Sequence, residues 1–298
     1  MHPDHDEMTI TATDGVQLAA TRWGPRPAAA TIVYVHGLLT DSGVWDRLTR
    51  CLHDRVEGGI AQIVYDQRGQ GNSGRPPRRS STTMDQLAED LDTVLAHAVG
   101  AVVLVAHSTG SLLMQAWAQR YPQRAATLSG LVLINGSAEF PELPGLPAIY
   151  RTWPEDLQQW WPGSLDAEIT AVSVLLARTL RQTSASPPHL FRCDHTVLVD
   201  VLVACRRATL SEEEAAQLRS VPSFVVAGEH DRIVPPGQSI RLADRIWSEY
   251  ELVSGTGHWL PWTDPDRTAD TILQALEIAY RTDRVGTPDL PEAVEDPL

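Results

Sequence analysis

Apolar and polar positions along the chain follow two alternating rhythms. Short, mostly apolar runs recur at 31–35, 60–65, 102–106, 131–134, 224–227 and 250–253. Runs of this length, rich in Val and Ile, predict strands buried on both faces of a sheet. Between them, apolar residues fall at three- and four-residue spacing and predict helices at 44–52, 83–98, 111–120, 211–218, 240–247 and 265–280. Asp41 or Ser42 can cap the first of these, and Leu87, Leu91, Val94 and Leu95 form the buried face of the second. Residues 8–23 instead alternate strictly around Asp14-Gly15, which predicts an antiparallel hairpin at a sheet edge. Strands alternating with helices predict an α/β fold with a mostly parallel central sheet flanked by helices. In such sheets ligands bind at the carboxyl ends of the strands.

The rhythm breaks after Ser137. Residues 138–212 hold Pro, Trp and short helical patterns but no run resembling a parallel strand. The stretch is too long for an ordinary connection and predicts a helical lid inserted over the sheet. The chain therefore divides into a core part at 1–137, the lid at 138–212, a second core part at 213–282 and a loose acidic, Pro-rich tail at 283–298. A length of 298 residues with 43% apolar content suits one large domain carrying such an insertion.

Charge narrows the choice of partner. A net charge of −14 argues against nucleic acid or an anionic membrane surface. All 24 basic residues are Arg, scattered along the chain in a way that suggests coding bias rather than phosphate recognition. Cys51, Cys193 and Cys205 form no C-x-x-C pair, so neither a disulfide framework nor a zinc site is signalled. No metal or cofactor is implied. The first residues are polar and acidic, no run is long enough to span a bilayer, and the cytoplasm is the expected compartment.

Candidate chemistry sits where strands end. The run at 102–106 leads through Ala106-His107-Ser108-Thr109-Gly110 straight into a helical pattern, so the chain must turn sharply at Ser108. Small residues two positions either side allow that turn, and the helix N-terminus beside it favours developing negative charge. The run at 224–227 leads into Gly228-Glu229-His230-Asp231, and that at 250–253 into Gly255-Thr256-Gly257-His258-Trp259. Ser108, Asp231 and His258 thus follow the order nucleophile, acid, base. A serine hydroxyl needs an imidazole to take its proton, and the imidazole needs a carboxylate to fix its tautomer. A polar turn at a strand end is the plain alternative for Ser108, and Glu229 is an alternative acid. Asn135 and Ser137, after the preceding strand, offer no carboxylate.

Taken together, His36-Gly37, Asp66-x-Arg68-Gly69-x-Gly71-x-Ser73, Ala106-His107-Ser108-Thr109-Gly110, Gly228-x-x-Asp231 and Gly257-His258 make the chain resemble the α/β-hydrolase superfamily, as a serine esterase or lipase-like member with a helical lid. Ala106 departs from the usual Gly but is small. The resemblance implies Ser108, Asp231 and His258 as catalytic triad and the backbone N–H groups of Leu38 and Thr109 as oxyanion hole. It gives His36, His107, Asp66 and Arg68 structural roles. It also sets the chain apart from look-alike dehalogenases and epoxide hydrolases, which use an aspartate nucleophile. What it implies is a carboxylesterase-like hydrolase of a small to medium hydrophobic acyl substrate, with Leu39, Trp160, Trp161 and Trp259 as candidate substrate-binding residues. Thioesterase, lactonase, and biosynthetic acyl-transfer or lyase activities share these motifs, as does a triad-retaining ligand receptor.

Overall fold

Burial on both faces is what the apolar runs demand, and the computed structural model supplies it. It describes residues 5–75, 82–140, 187, 190, 192–205 and 208–282. Among these, eight strands form one sheet: β1 (His5–Thr11), β2 (Gln17–Trp23), β3 (Ala30–Val35), β4 (Ala61–Tyr65), β5 (Ala101–His107), β6 (Gly130–Ile134), β7 (Ser223–Gly228) and β8 (Glu249–Val253). Their order is β1-β2-β4-β3-β5-β6-β7-β8. The hairpin β1–β2 pairs antiparallel with itself and with β4, and the remaining pairs are parallel.

Alternation along each central strand splits the core in two. Val33, Val35, Leu104, Ala106, Leu131, Leu133 and Val225 face one side; Ile32, Tyr34, Val103, Val105, Val132, Ile134 and Val226 face the other. Each fully buried Val, Leu or Ile contributes about 1.5–3 kcal/mol, so a sheet covered on both sides is the dominant stabilising element. The first face is covered by α2 (Met84–Leu95) and α3 (Gly110–Arg120), the second by α1 (Asp46–Arg55). A capping box fixes the start of α2, with Thr83 and Gln86 satisfying each other's backbone N–H groups. The helix expected at 44–52 instead begins as a 3-10 turn, Ser42–Trp45, capped by the Asp41 carboxylate, and becomes α-helical only from Asp46. The short helix α4 (Pro122–Ala125), which the apolar pattern did not announce, follows α3.

The lid expected at 138–212 lies mostly outside the described residues, as do Trp160, Trp161 and the tail at 283–298. Of that stretch the structure describes α5 (His195–Cys205). Val197 and Val201 are buried in the first core half, and a Cβ on Gly69 would collide with Val197 at 2.5 Å. The helix therefore rests on the loop after β4. Beyond it come α6 (Glu212–Leu218), opened by a Ser211–Glu214 capping box, and α7 (Pro236–Ile246). The short α8 (Leu260–Thr263), also unannounced, precedes α9 (Pro265–Thr282), which packs beside α1. Among the described residues no helix is long and apolar enough to cross a membrane.

The sheet order reverses at β3, whose successor β4 lies to one side while β5 lies to the other. The carboxyl ends of β3 and β5 flank that switch point, where a crevice forms in open α/β sheets. His36 and Ser108 both sit there.

Candidate active site

Only Ser108 and Thr109 separate β5 from α3, and Ser108 makes the reversal with φ +54°. A non-glycine residue in the left-handed region costs on the order of 1–3 kcal/mol and persists only where its surroundings hold it. Here the Ser108 N–H donates to the Ile134 carbonyl at 3.1 Å. Its own carbonyl accepts from the Ser111 N–H at 2.9 Å and the Ser111 hydroxyl at 2.6 Å. Close approach explains the glycines beside it. A Cβ on Gly110 would stand 2.5 Å from the Val35 carbonyl oxygen, and one on Gly37 would stand 3.0 Å from the Ser108 Cβ. The elbow is thereby pressed against the end of β3.

Two further strand ends bring in the candidate acid and the candidate base. Asp231 follows β7, and its buried Oδ1 accepts from the N–H groups of Ile233 at 2.8 Å and Val234 at 2.9 Å. Its Oδ2 faces His258 Nδ1 at 2.8 Å and also accepts from the Asn135 side-chain amide. Burial by itself would raise the Asp231 pKa. The His258 charge, its hydrogen bond and the two backbone donors outweigh burial and hold the carboxyl below its ordinary value. A carboxylate facing Nδ1 assigns the imidazole proton to that nitrogen and leaves Nε2 as the acceptor. Glu229, the alternative acid, is exposed and, among the described residues, accepts from the Gly255 N–H at 3.0 Å, with His230 beside it.

Asn135 is the residue whose part the sequence did not disclose. It ends β6 with φ +48°, a conformation Asn tolerates better than most, and is fully buried. Its N–H donates to Val226 at 2.7 Å, and its amide reaches both Asp231 and, at 3.0 Å, the Gly257 carbonyl. One side chain thus ties the acid loop to the base loop. The only signal in the sequence was a short polar residue at the strand end beside the acid.

His107 and His36 are likewise fixed. His107 Nε2 donates to the His258 carbonyl at 2.8 Å, and its ring packs against His258, Trp45 and Trp259. Burial pushes its pKa down to about 3, so it stays neutral. His36 donates from Nδ1 to the Gly37 carbonyl at 2.8 Å and accepts the Gln67 N–H on Nε2 at 3.0 Å, and burial lowers its pKa as well. Among the described residues Ser108 Oγ makes no hydrogen bond to His258; the elbow and the base loop are joined through His107.

The other expected positions divide as follows. The N–H groups of Leu38 and Thr109 flank the Gly37–Ser108 contact, and neither donates a hydrogen bond among the described residues. Leu39 and Trp259 are buried in the second core half, Leu39 with φ +61°. Trp160 and Trp161 lie outside the described residues. Asp66 accepts from the Ser42 and Asn72 N–H groups at 2.8 and 2.7 Å, and Arg68 binds Asp90 and Asp14. Both hold loops. Among the described residues no group of three or more His, Cys, Asp or Glu is placed to hold a metal ion.

Comparison with known proteins gives the family of the fold. The family profile described as the alpha/beta hydrolase fold matches residues 30–265, and the chain belongs to that family. It is 24% identical over 288 residues to a Caulobacter segnis protein that bears the name carbamate hydrolase RutD, covering 91% of this chain and 99% of that one. Among solved structures, a thermophilic esterase from Thermogutta terrifontis superposes with a TM-score of 0.66 at 23% identity, covering 92% of this chain and 99% of the other. An enol-lactonase from Burkholderia xenovorans superposes with a TM-score of 0.67 at 20% identity, covering 91% and 100%.

Proposed function

We propose that this protein is a serine hydrolase that cleaves small to medium hydrophobic esters through an acyl-enzyme on Ser108. The observation that carries the reading is the buried Asp231–His258 pair, 2.8 Å apart and tied through His107 to an elbow whose serine has φ +54°. In this mechanism Ser108 Oγ attacks the ester carbonyl carbon while His258 Nε2 takes its proton. Asp231 holds the imidazole in the right tautomer and stabilises its positive charge. The carbonyl oxygen becomes an oxyanion, met by the N–H groups of Leu38 and Thr109. Such donors matter because they aim at charge that exists only after attack. The intermediate then collapses, the alcohol leaves with the proton from His258, and a water activated by the same imidazole releases the acid.

In this reading the lid expected from the sequence at 138–212 excludes water and selects apolar acyl groups. Each buried methylene contributes about 0.8 kcal/mol, or roughly fourfold in kcat/KM, until the pocket is full. A serine at the elbow favours acyl transfer over epoxide or haloalkane chemistry. The structural likeness to both an esterase and an enol-lactonase keeps lactones within the same reaction class.

The test combines covalent labelling with a p-nitrophenyl ester series from acetate upwards. A fluorophosphonate is expected to add to Ser108 and abolish turnover, and Ser108→Ala to fold normally while losing on the order of 10⁶ in kcat. Full activity in Ser108→Ala would end the proposal. A rate profile flat in chain length would end the apolar-acyl reading and leave the nucleophile standing.

A further inference from the structure

The opposite rim of the sheet carries a charge that the chemistry at Ser108 does not use. Arg22 lies on β2, on the same strand face as Leu18 and Ala20, and is only 5% exposed. A guanidinium removed from water needs a carboxylate or several acceptors, because an uncompensated buried charge is costly. Among the described residues Arg22 has one acceptor, the Pro25 carbonyl, 2.9 Å from its Nη2, and its buried Nε has none. Among the described residues no carboxylate forms an ion pair with it. Asp6, directly across the β1–β2 ladder, pairs instead with the exposed Arg26 at 3.5 Å. Burial draws the Arg22 pKa below its ordinary value, the Arg26 charge draws it further, and Asp6 pulls the other way.

Arg22 lines a cavity of about 220 Å³ whose other walls are Met8, Arg26, Pro27, His97 and Val99. One water needs only about 10–15 Å³, so the space is far larger than a single-water hole. Pro27 and Val99 lead into β3 and β5, which places the cavity at the amino ends of the strands, away from Ser108. Two guanidinium groups and an imidazole gather there in a chain of net charge −14. We propose that this cavity binds a small monocarboxylate with a short apolar tail. The carboxylate accepts from the Arg22 guanidinium, and the tail lies against Met8, Pro27 and Val99. Water in the cavity would bring the guanidinium no counter-ion beyond the exposed Asp6. Inorganic phosphate would supply the charge but leave the apolar walls unmatched.

The test is thermal unfolding of the full chain titrated with sodium butyrate or inorganic phosphate at constant ionic strength, on wild type, Arg22→Met and Arg26→Gln. Butyrate is expected to raise Tm saturably in the wild type and phosphate to do so more weakly. Arg22→Met is expected to weaken butyrate binding on the order of thirtyfold or more, as loss of a buried charge partner does. Arg26→Gln should weaken it less, and ester turnover should stay at the wild-type level in both. Absence of any butyrate response overturns the proposal, as does an equal response in Arg22→Met or phosphate matching butyrate. Should Arg22→Met fail to fold, Arg26→Gln decides: unchanged butyrate affinity there counts against the site.

Discussion

Two carboxylates, Asp231 and Asp90, are buried almost equally, 4% and 2% exposed, and each accepts short hydrogen bonds. Asp90 receives Arg68 Nε and Nη2, both at 2.6 Å, and the same guanidinium reaches Asp14 at 2.8 Å. Burial alone would lower the Arg68 pKa; the two carboxylates outweigh it and hold the group above its ordinary value. Arg68 therefore stays charged at every working pH, while burial holds the Asp90 carboxyl above its ordinary value despite that guanidinium. Asp231 faces an imidazole whose charge appears only when it takes a proton, and backbone and Asn135 donors hold the carboxylate in place meanwhile. Burial is common to both clusters. What separates them is the partner: a guanidinium that spends its donors on carboxylates in one, an imidazole with one nitrogen left over in the other.

The comparison is broken most severely at Asp231. Asp231→Asn is expected to fold and to lose on the order of 10⁴ in kcat, because an amide no longer selects the tautomer with Nε2 free. Steady-state kinetics beside circular dichroism checks this. Should Glu229→Gln be the crippling change instead, the acid has been misassigned.

Asp90→Ala tests the other cluster. It strands the Arg68 charge with only the partly exposed Asp14, and is expected to cost about 3–5 kcal/mol of stability. The cost is read from the urea midpoint, with kcat per folded molecule little changed. A large fall in kcat with stability intact would give the Asp66–Arg68 loop a direct part in the chemistry.

Asn135→Ala should fall between the two kinds of effect. Loss of one hydrogen bond to a charged carboxylate amounts to about 1.5–3 kcal/mol, or roughly 10–100-fold in kcat with KM little moved. Equal losses in kcat and stability would make Asn135 a brace like Arg68.

The last test is pH, and it is read on stability rather than on kcat. His107, with its pKa pushed to about 3, and His36, also lowered by burial, are neutral in the fold. In the unfolded chain both take up protons near pH 6.5. The unfolded state then binds more protons, so the stability is full above that pH and is lost as pH falls towards about 3. The loss is at most about 1.4 kcal/mol per pH unit for each group. Asp231, held below its ordinary value, adds a loss only at more acid pH, below about 3.8. Urea midpoints at pH 7.5 and 5 measure the histidine part, and equal midpoints would mean that neither ring is held neutral.

Much of this was legible in the sequence, for a physical reason. Strands buried on both faces read as continuous apolar runs, so β3, β5, β6 and β7 stood out, and the elbow followed from strand and helix meeting at Ser108. Asn135 was visible as a residue but not as a clamp, because its partners lie 96 and 122 residues away and only the sheet order brings them together. Trp259 shows the converse difficulty. An aromatic ring in a loop beside a catalytic candidate fits a pocket wall or a core equally well, and only its 2% exposure shows how deeply it packs. The helices α4 and α8 span four residues each, too short for an apolar period to declare itself.

Leu39, Ser108 and Asn135, at the ends of three neighbouring strands, all hold left-handed backbone without being glycine. Each spends on the order of 1–3 kcal/mol, so relaxing the backbone along this rim would add heat resistance. A laboratory lineage selected only for survival at high temperature would drift there, exchanging these residues for ones that relax the chain. It would arrive at a sturdier molecule with idle chemistry. A screen for thermostable variants should therefore score turnover in the same round.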